Sequence, residues 1–313
     1  MTAFPTVRVA ALQATPVVLD SEATIDKSVA LIAQAAEAGA QLAVLPECFV
    51  SVYPSGAWAA AGAQFGGVDE LWERLWDSSV DVSGPEVQRL VDACRTHRLH
   101  LVIGVNERED VRPGTLYNAM LLLGPDGLLW HHRKTMPTMQ ERVFYGMGAG
   151  KDLHVTDVPG VGRVAGLICW ENRMPMARWA LYQGGPQIWV APTADDSDGW
   201  QASMRSLAIE AGAFVVSVPQ YLPRAAFPDD FPAEIPAGLD CLGRGGAAVI
   251  DPMGRVIAGP LYDTEGMVVA DCDLRVGLQA KRWFDSVGHY SRPDLFPPSA
   301  AGVELVVEGV GDG

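Results

Sequence analysis

Apolar positions along this chain recur with two different periods. Residues 7–13 are largely apolar, with β-branched Val7 and Val9, and read as a first strand. Residues 21–38 follow, with Ile25, Val29, Ile32, Ala33 and Ala36 on one helical face. Asp20 or Ser21 can cap that helix and Gly39 can end it. Residues 42–45 form a short, fully apolar strand that runs straight into Pro46-Glu47. The stretch 55–83 mixes glycine, alanine and tryptophan and reads as an insertion carrying one short helix near 70–76. Pro85 suits a first helical position, and Val87, Leu90, Val91 and Cys94 mark the buried face behind it.

The same alternation continues to the end of the chain. A strand is expected over 101–105. Residues 117–123 and 128–132 flank Gly124-Pro125-Asp126-Gly127, a hairpin pattern, so part of the sheet is antiparallel. Residues 163–168 read as a strand ending at Cys169, and Pro175 opens a helix through about Tyr182. Strands at 188–191 and 214–218 bracket a helix at 200–211. Residues 247–250 and 256–258 flank Asp251-Pro252-Met253-Gly254, a second hairpin, and 267–270 is a late strand. Beyond Arg292 the chain is rich in proline and glycine and reads as an arm or a disordered end. No short repeat and no interdomain linker interrupts the pattern. Mixed strands with interleaved helices predict a layered α/β fold in one domain, residues 1–290, with 291–313 as a C-terminal tail.

Composition narrows the function. Of 313 residues, 49% are hydrophobic and 19% charged, a globular balance with ample core. The net charge of −15 repels phosphate backbones and anionic lipid, so nucleic acid and membrane are poor partners. No run of apolar residues is long enough for a membrane span, and the N-terminus lacks the pattern of a signal peptide. Five cysteines, odd in number and widely spaced without a CxxC pair, argue against a disulfide framework or a zinc site. They favour a reducing compartment, the cytoplasm. The six histidines show no metal-binding spacing.

Three polar residues stand just past apolar strands: Glu47 after LAVLP, Lys134 after LLWHHR and Cys169 after VAGLI. Residues at such positions converge on one edge of an α/β fold. Singly, each has an ordinary explanation. A cysteine in a core-like run is usually a small buried hydrophobe, and a strand-end glutamate or lysine is usually solvated. Together they make a chemical set. A thiol must lose its proton to attack, a neighbouring ammonium lowers its pKa, and a carboxylate can take the proton and later activate water. Lys134 can also stabilise negative charge that develops during attack.

Longer blocks carry a family likeness. LPECFVSVYPSG, HHRKTMPTMQERVFYGMG, GLICWENRMPMARWALY, APTADDSDGWQASMRSLAIEAGAFVVS and GHYSRPDLF occur in this order and span nearly the whole chain. They resemble the nitrilase superfamily of carbon–nitrogen hydrolases, and within it the true nitrilase branch. The resemblance implies a four-layer αββα sandwich with two mixed sheets, two subunits pairing as αββααββα. It implies Glu47 as general base, Lys134 as catalytic lysine, Cys169 as nucleophile and Glu141 as a second glutamate positioning lysine or substrate. Tyr53, Thr138, Tyr145 and Thr193 resemble pocket-lining positions, and the Trp170 backbone N–H an anion donor. The implied reaction turns a nitrile into a carboxylic acid and ammonia through a thioimidate and a thioester. No metal or organic cofactor is required, because the covalent intermediate divides the difficult step. Thr135 and Tyr145 depart from the residues more usual at their positions, which bears on substrate range.

Competing readings are weaker. A papain-like protease would need a Cys–His pair and its glycine-rich signature, which is missing. An amidase or N-carbamoyl hydrolase of the same superfamily is the main enzyme alternative. A catalytically silent binding protein would be expected to lose part of the Glu, Lys, Cys set, and all three are present.

Overall fold

The direction in which successive strand side chains point decides the layers. The computed structural model describes residues 4–55, 69–109, 111 and 113–295. Along β1 (Thr6–Gln13), Val7, Val9 and Ala11 enter one apolar cluster, and Ala10 and Leu12 enter another on the opposite face. β2 (Leu42–Val44) and β3 (His100–Arg108) repeat the split, sending Leu42, Val44 and Val102 one way and Ala43, Leu101 and Ile103 the other. The second of these faces is covered by helices. α1 (Ser21–Glu37) contributes Ile25, Ile32 and Ala35. A further helix, α2 (Asp69–Asp77), precedes α3 (Pro85–His97), which contributes Val87, Leu90, Val91 and Cys94. Each large aliphatic side chain fully buried in this way contributes roughly 1.5–3 kcal/mol.

The first face meets a second sheet. This sheet contains β7 (Gly162–Gly166), β8 (Ile188–Thr193), β9 (Phe214–Pro219) and β11 (Cys241–Ile250). Val164, Ile188, Val190, Phe214, Val216 and Val249 pack against the first sheet from there. The outer face of the second sheet lies under α4 (Pro175–Gln183) and α5 (Asp198–Ala211), where Leu181, Trp200, Met204 and Leu207 meet Trp189, Val215 and Ile250. The layers are therefore helix, sheet, sheet, helix.

Both sheets are mixed. The first runs in the order β13 (Gly266–Asp273), β1, β2, β3, β4 (Leu116–Gly124), β5 (Gly127–Arg133), with β1, β2 and β3 parallel and the rest antiparallel. The second runs β10 (Tyr221–Pro223), β11, β9, β8, β7, β6 (Thr156–Val158), and β12 (Val256–Tyr262) pairs with β11. The expected α/β class with two mixed sheets is thus observed, and both predicted hairpins form. At the second hairpin the Asp251 carboxylate builds the turn, accepting from the Met253 and Arg255 N–H groups at 2.9 and 3.0 Å. Asp20 is the cap of α1, accepting from the Ala23 N–H at 2.9 Å, an interaction worth about 1 kcal/mol.

Some elements escape the hydrophobic pattern. β6 and β10 are three residues each, too short to show a period. α6 (Arg275–Trp283) fully buries only Ala280, with Val276 packed partly buried against the core, too few apolar residues to mark a helix. The strand expected over 163–168 stops pairing at Gly166, and Cys169 opens a short 3₁₀ turn, Cys169–Arg173. Of the insertion expected over 55–83, residues 56–68 lie outside the described residues, as do residues 296–313 of the expected tail. No described helix is long and apolar enough to cross a membrane.

Candidate active site

Glu47 reaches its position because the chain leaving β2 lies flat on β3. Pro46 O accepts from the Gly104 N–H at 3.1 Å, and a Cβ at Gly104 would sit 2.4 Å from that same oxygen. Only glycine permits this approach. Gln220 Nε2 holds the Glu47 carbonyl at 2.6 Å, and Cys48 follows with φ of 45°. Lys134 comes directly after β5. Its backbone donates to Asn118 O at 2.8 Å and accepts from the Gly148 N–H at 2.8 Å. Cys169 is the first residue of its turn, with φ of 51°, a left-handed conformation that costs a side-chain-bearing residue about 1 kcal/mol. The Asn172 amide holds that turn, donating to Leu167 O at 2.7 Å and Cys169 O at 2.9 Å while accepting from Trp189 Nε1 at 2.7 Å.

These loops bring together one ammonium, two carboxylates and a thiol, all buried. Lys134 Nζ lies 2.6 Å from Glu47 Oε1 and 2.8 Å from Glu141 Oε1. Glu47 Oε1 also accepts from Asn118 Nδ2 at 2.7 Å, and its Oε2 accepts from the Ala194 N–H at 2.8 Å. Both acceptor positions of Oε1 are filled, which leaves one position on Oε2 for a proton. Glu141 Oε1 accepts from Tyr53 OH at 2.7 Å as well as from Lys134, and its Oε2 is buried with no hydrogen-bond partner. Thr193 Oγ1 donates to Cys169 Sγ at 3.1 Å and itself accepts from the Asp195 N–H at 2.9 Å.

Two carboxylates sharing one ammonium fix the electrostatics. Burial of Lys134 is outweighed by the charges of Glu47 and Glu141, so its pKa stands well above the usual lysine value and it stays charged. Burial, together with the charge of Glu141, pushes the Glu47 carboxyl up against the pull of Lys134 and Asn118. Cys169 differs from the sequence expectation. Lys134 does lower its pKa, but burial and the Glu47 charge raise it more, so the group rests as a thiol and not as a thiolate. Burial and the same carboxylates hold the Tyr53 phenol far above its ordinary value, which keeps it a donor.

The other expected positions fall in different places. Glu141 is buried on a 3₁₀ helix, Met139–Val143, while its neighbour Arg142 bonds Pro137 O instead of pairing with it. Tyr53 and Thr193 touch the cluster directly. Tyr145 is buried with its hydroxyl donating to Asn106 Oδ1 and lying 3.7 Å from Cys48 Sγ. Thr138 caps the Glu141 helix through its backbone, its carbonyl accepting from the Glu141 N–H at 2.8 Å. The Trp170 indole is 39% exposed and points away to Asp195 Oδ2 at 2.7 Å, with Arg173 over its ring. That leaves its backbone N–H, and not its side chain, as the candidate contact. Sequence reasoning missed Asn118, Gln220 and Glu171. Asn118 had a visible trace, an amide inside the buried strand LYNAMLLLG. Among the described residues no group of His, Cys, Asp and Glu forms a metal site.

The carbon-nitrogen hydrolase family model matches residues 8–282. Nitrilase 1 of Arabidopsis thaliana is 43% identical over 300 residues, covering 93% of this chain and 85% of that protein. The aliphatic nitrilase of Sinorhizobium fredii (strain HH103) is 44% identical over 292 residues, 92% of this chain and 94% of that one. Among solved structures, the C. elegans NitFhit protein superposes with a TM-score of 0.74 at 20% identity, over 95% of this chain and 68% of that chain. The length matched and the identity of these relatives place the chain in the carbon–nitrogen hydrolase family.

Proposed function

We propose that this protein is a nitrilase, converting an organic nitrile and two waters to a carboxylic acid and ammonia. The observation that carries this reading is the likeness to relatives named as nitrilases across more than nine-tenths of the chain. The cluster around Lys134 supplies a chemistry for it. Glu47 Oε2 takes the Cys169 thiol proton as the sulfur adds to the nitrile carbon, and that proton passes to the nitrile nitrogen to give a thioimidate. Lys134 and the Trp170 N–H stabilise charge developing on nitrogen. Glu47 then draws a proton from water, which adds to the thioimidate. In the tetrahedral species, Glu141 Oε2 accepts an N–H from the departing amine. Glu47 passes that proton and then the hydroxyl proton to the nitrogen, ammonia leaves and a thioester remains, and a second water, deprotonated by Glu47, releases the acid as the proton returns to the sulfur. Thr193 O–H steadies the sulfur as it leaves the thioester.

Aliphatic and arylaliphatic nitriles are the substrates this likeness favours over benzonitriles. Five free cysteines, four of them buried, suit a cytoplasmic enzyme. Two copies pair helix layer to helix layer, where Met176 and Ile209 stand exposed on α4 and α5. The direct test is ammonia release from hexanenitrile, phenylacetonitrile, benzonitrile and their matching amides, wild type beside Cys169→Ala. Nitrile turnover lost in the variant is the expected result. Turnover of the amides alone would make the protein an amidase, and unchanged release in C169A would overturn the mechanism.

A further inference from the structure

A third buried carboxylate lies behind the cluster, and the mechanism leaves it unused. Glu171 is the third residue of the turn that begins at Cys169, and it is 1% exposed. Its Oε1 accepts from the Thr135 N–H at 2.7 Å and from the Thr135 hydroxyl at 2.6 Å. Its Oε2 accepts from the Ile168 N–H at 2.9 Å and from His132 Nε2 at 2.9 Å. His132 must be the donor there, since an ionised carboxylate only accepts and the other ring nitrogen, Nδ1, is buried without a partner. Four donors fill the carboxylate. They come from two segments on different sheets. His132 and Thr135 lie on either side of Lys134 at the end of β5, and Ile168 immediately precedes Cys169 beyond β7.

We propose that Glu171 is a positioning residue, a staple between the two sheets that sets the Lys134 ammonium against the Cys169 sulfur, with the Thr135 hydroxyl as its closing bond. This rests on the roles proposed above for Lys134 and Cys169. Stability alone is a poor reason to bury this charge, because buried ions replaced by well-packed apolar groups often cost nothing. Four fixed hydrogen bonds supply geometry instead. The charges that bear most on Lys134 and Cys169 are those of Glu47, Glu141 and each other, so Glu171 acts through the two backbones it grips and not through its field.

The test compares Glu171→Gln, Thr135→Val and Thr135→Ser with wild type. Three quantities are read: kcat and KM for phenylacetonitrile per titrated Cys169, the pH midpoint of Cys169 alkylation by iodoacetamide resolved by peptide mass, and the melting temperature. A carboxamide cannot accept all four bonds, and a displacement near 1 Å costs roughly 100-fold, so E171Q is expected to lose about that factor in kcat with KM little changed. T135V loses one charge-assisted bond and about tenfold in kcat, and T135S restores it. In E171Q and T135V the alkylation midpoint rises, because Lys134 no longer pulls as strongly on the thiol. A lower melting temperature with kcat per titrated site unchanged would reduce Glu171 to a structural role and overturn the proposal. So would equal losses in T135V and T135S. Should E171Q fail to fold, the partly buried Thr135 pair decides alone. If wild type itself releases no ammonia from nitriles, the nitrilase reading fails separately. The alkylation midpoint then decides the staple, an unchanged value in the folded variants refuting it.

Discussion

Glu141→Gln is the substitution for which the structure fixes both a sign and a size. Both Glu141 Oε1 and Glu47 Oε1 touch Lys134 Nζ, at 2.8 and 2.6 Å, so the two oxygens cannot be further apart than those distances laid end to end, about 5.4 Å. At an effective dielectric constant of about 20, two unit charges at that separation repel by roughly 3 kcal/mol. One pKa unit corresponds to about 1.36 kcal/mol, so the full repulsion equals roughly two units on Glu47. Glutamine keeps the shape, and its carbonyl still accepts from Tyr53 and Lys134. Removing the negative charge therefore lowers the Glu47 pKa, which Glu141 now helps to raise. The acid limb of kcat/KM, which the proposed role of Glu47 as base assigns to its ionisation, moves to lower pH by about one to two units after local relaxation. The plateau falls at the same time, because a carboxylate of lower pKa is a weaker base. Initial rates of ammonia release between about pH 4 and 9 measure both effects. A limb that stays in place or moves upward, in a variant whose circular dichroism matches wild type, would show that the two carboxylates are not coupled as described.

Asn118→Leu tests the same carboxylate with the opposite sign. It removes a donor that lowers the Glu47 pKa, so the acid limb should move up by roughly one unit and activity near neutral pH should fall; a downward move would contradict the hydrogen-bond account. Gly104→Ala places a methyl 2.4 Å from Pro46 O and 2.6 Å from Cys48 N, both backbone atoms that cannot yield cheaply. A loss of about 3 kcal/mol in urea unfolding is expected, with Glu47 displaced and activity reduced; wild-type stability would mean that the Glu47 loop can move aside freely.

Much of the fold was legible in the chain because it rests on periodicity. The apolar run in residues 7–13 and the helical face of Ile25 and Ile32 need only local geometry and the burial of apolar groups, and both appear where the pattern puts them. Turn chemistry placed the hairpins at Pro125-Asp126 and around Asp251 for the same reason. The short strands β6 and β10 and the exposed helix α6 were not legible. Their existence depends on neighbours supplied by distant parts of the chain.

At the candidate site the division is sharper. The sequence by itself determined which residues could carry the chemistry: Glu47, Lys134 and Cys169 stand just past apolar strands, and Glu141 lies in a block whose likeness marked it. Tertiary structure decided their state. Whether Cys169 rests as thiol or thiolate turns on the balance of burial, Glu47 and Lys134, and electrostatic energies at a few ångströms depend on distances that no linear pattern contains. Tertiary structure also decided partners. Glu171 is in the chain one more charge after Cys-Trp, yet its four donors come from residues 132, 135 and 168, brought within 3 Å only when the two sheets close on each other. A residue's identity is fixed by the chain, but its protonation and its hydrogen bonds belong to the space around it.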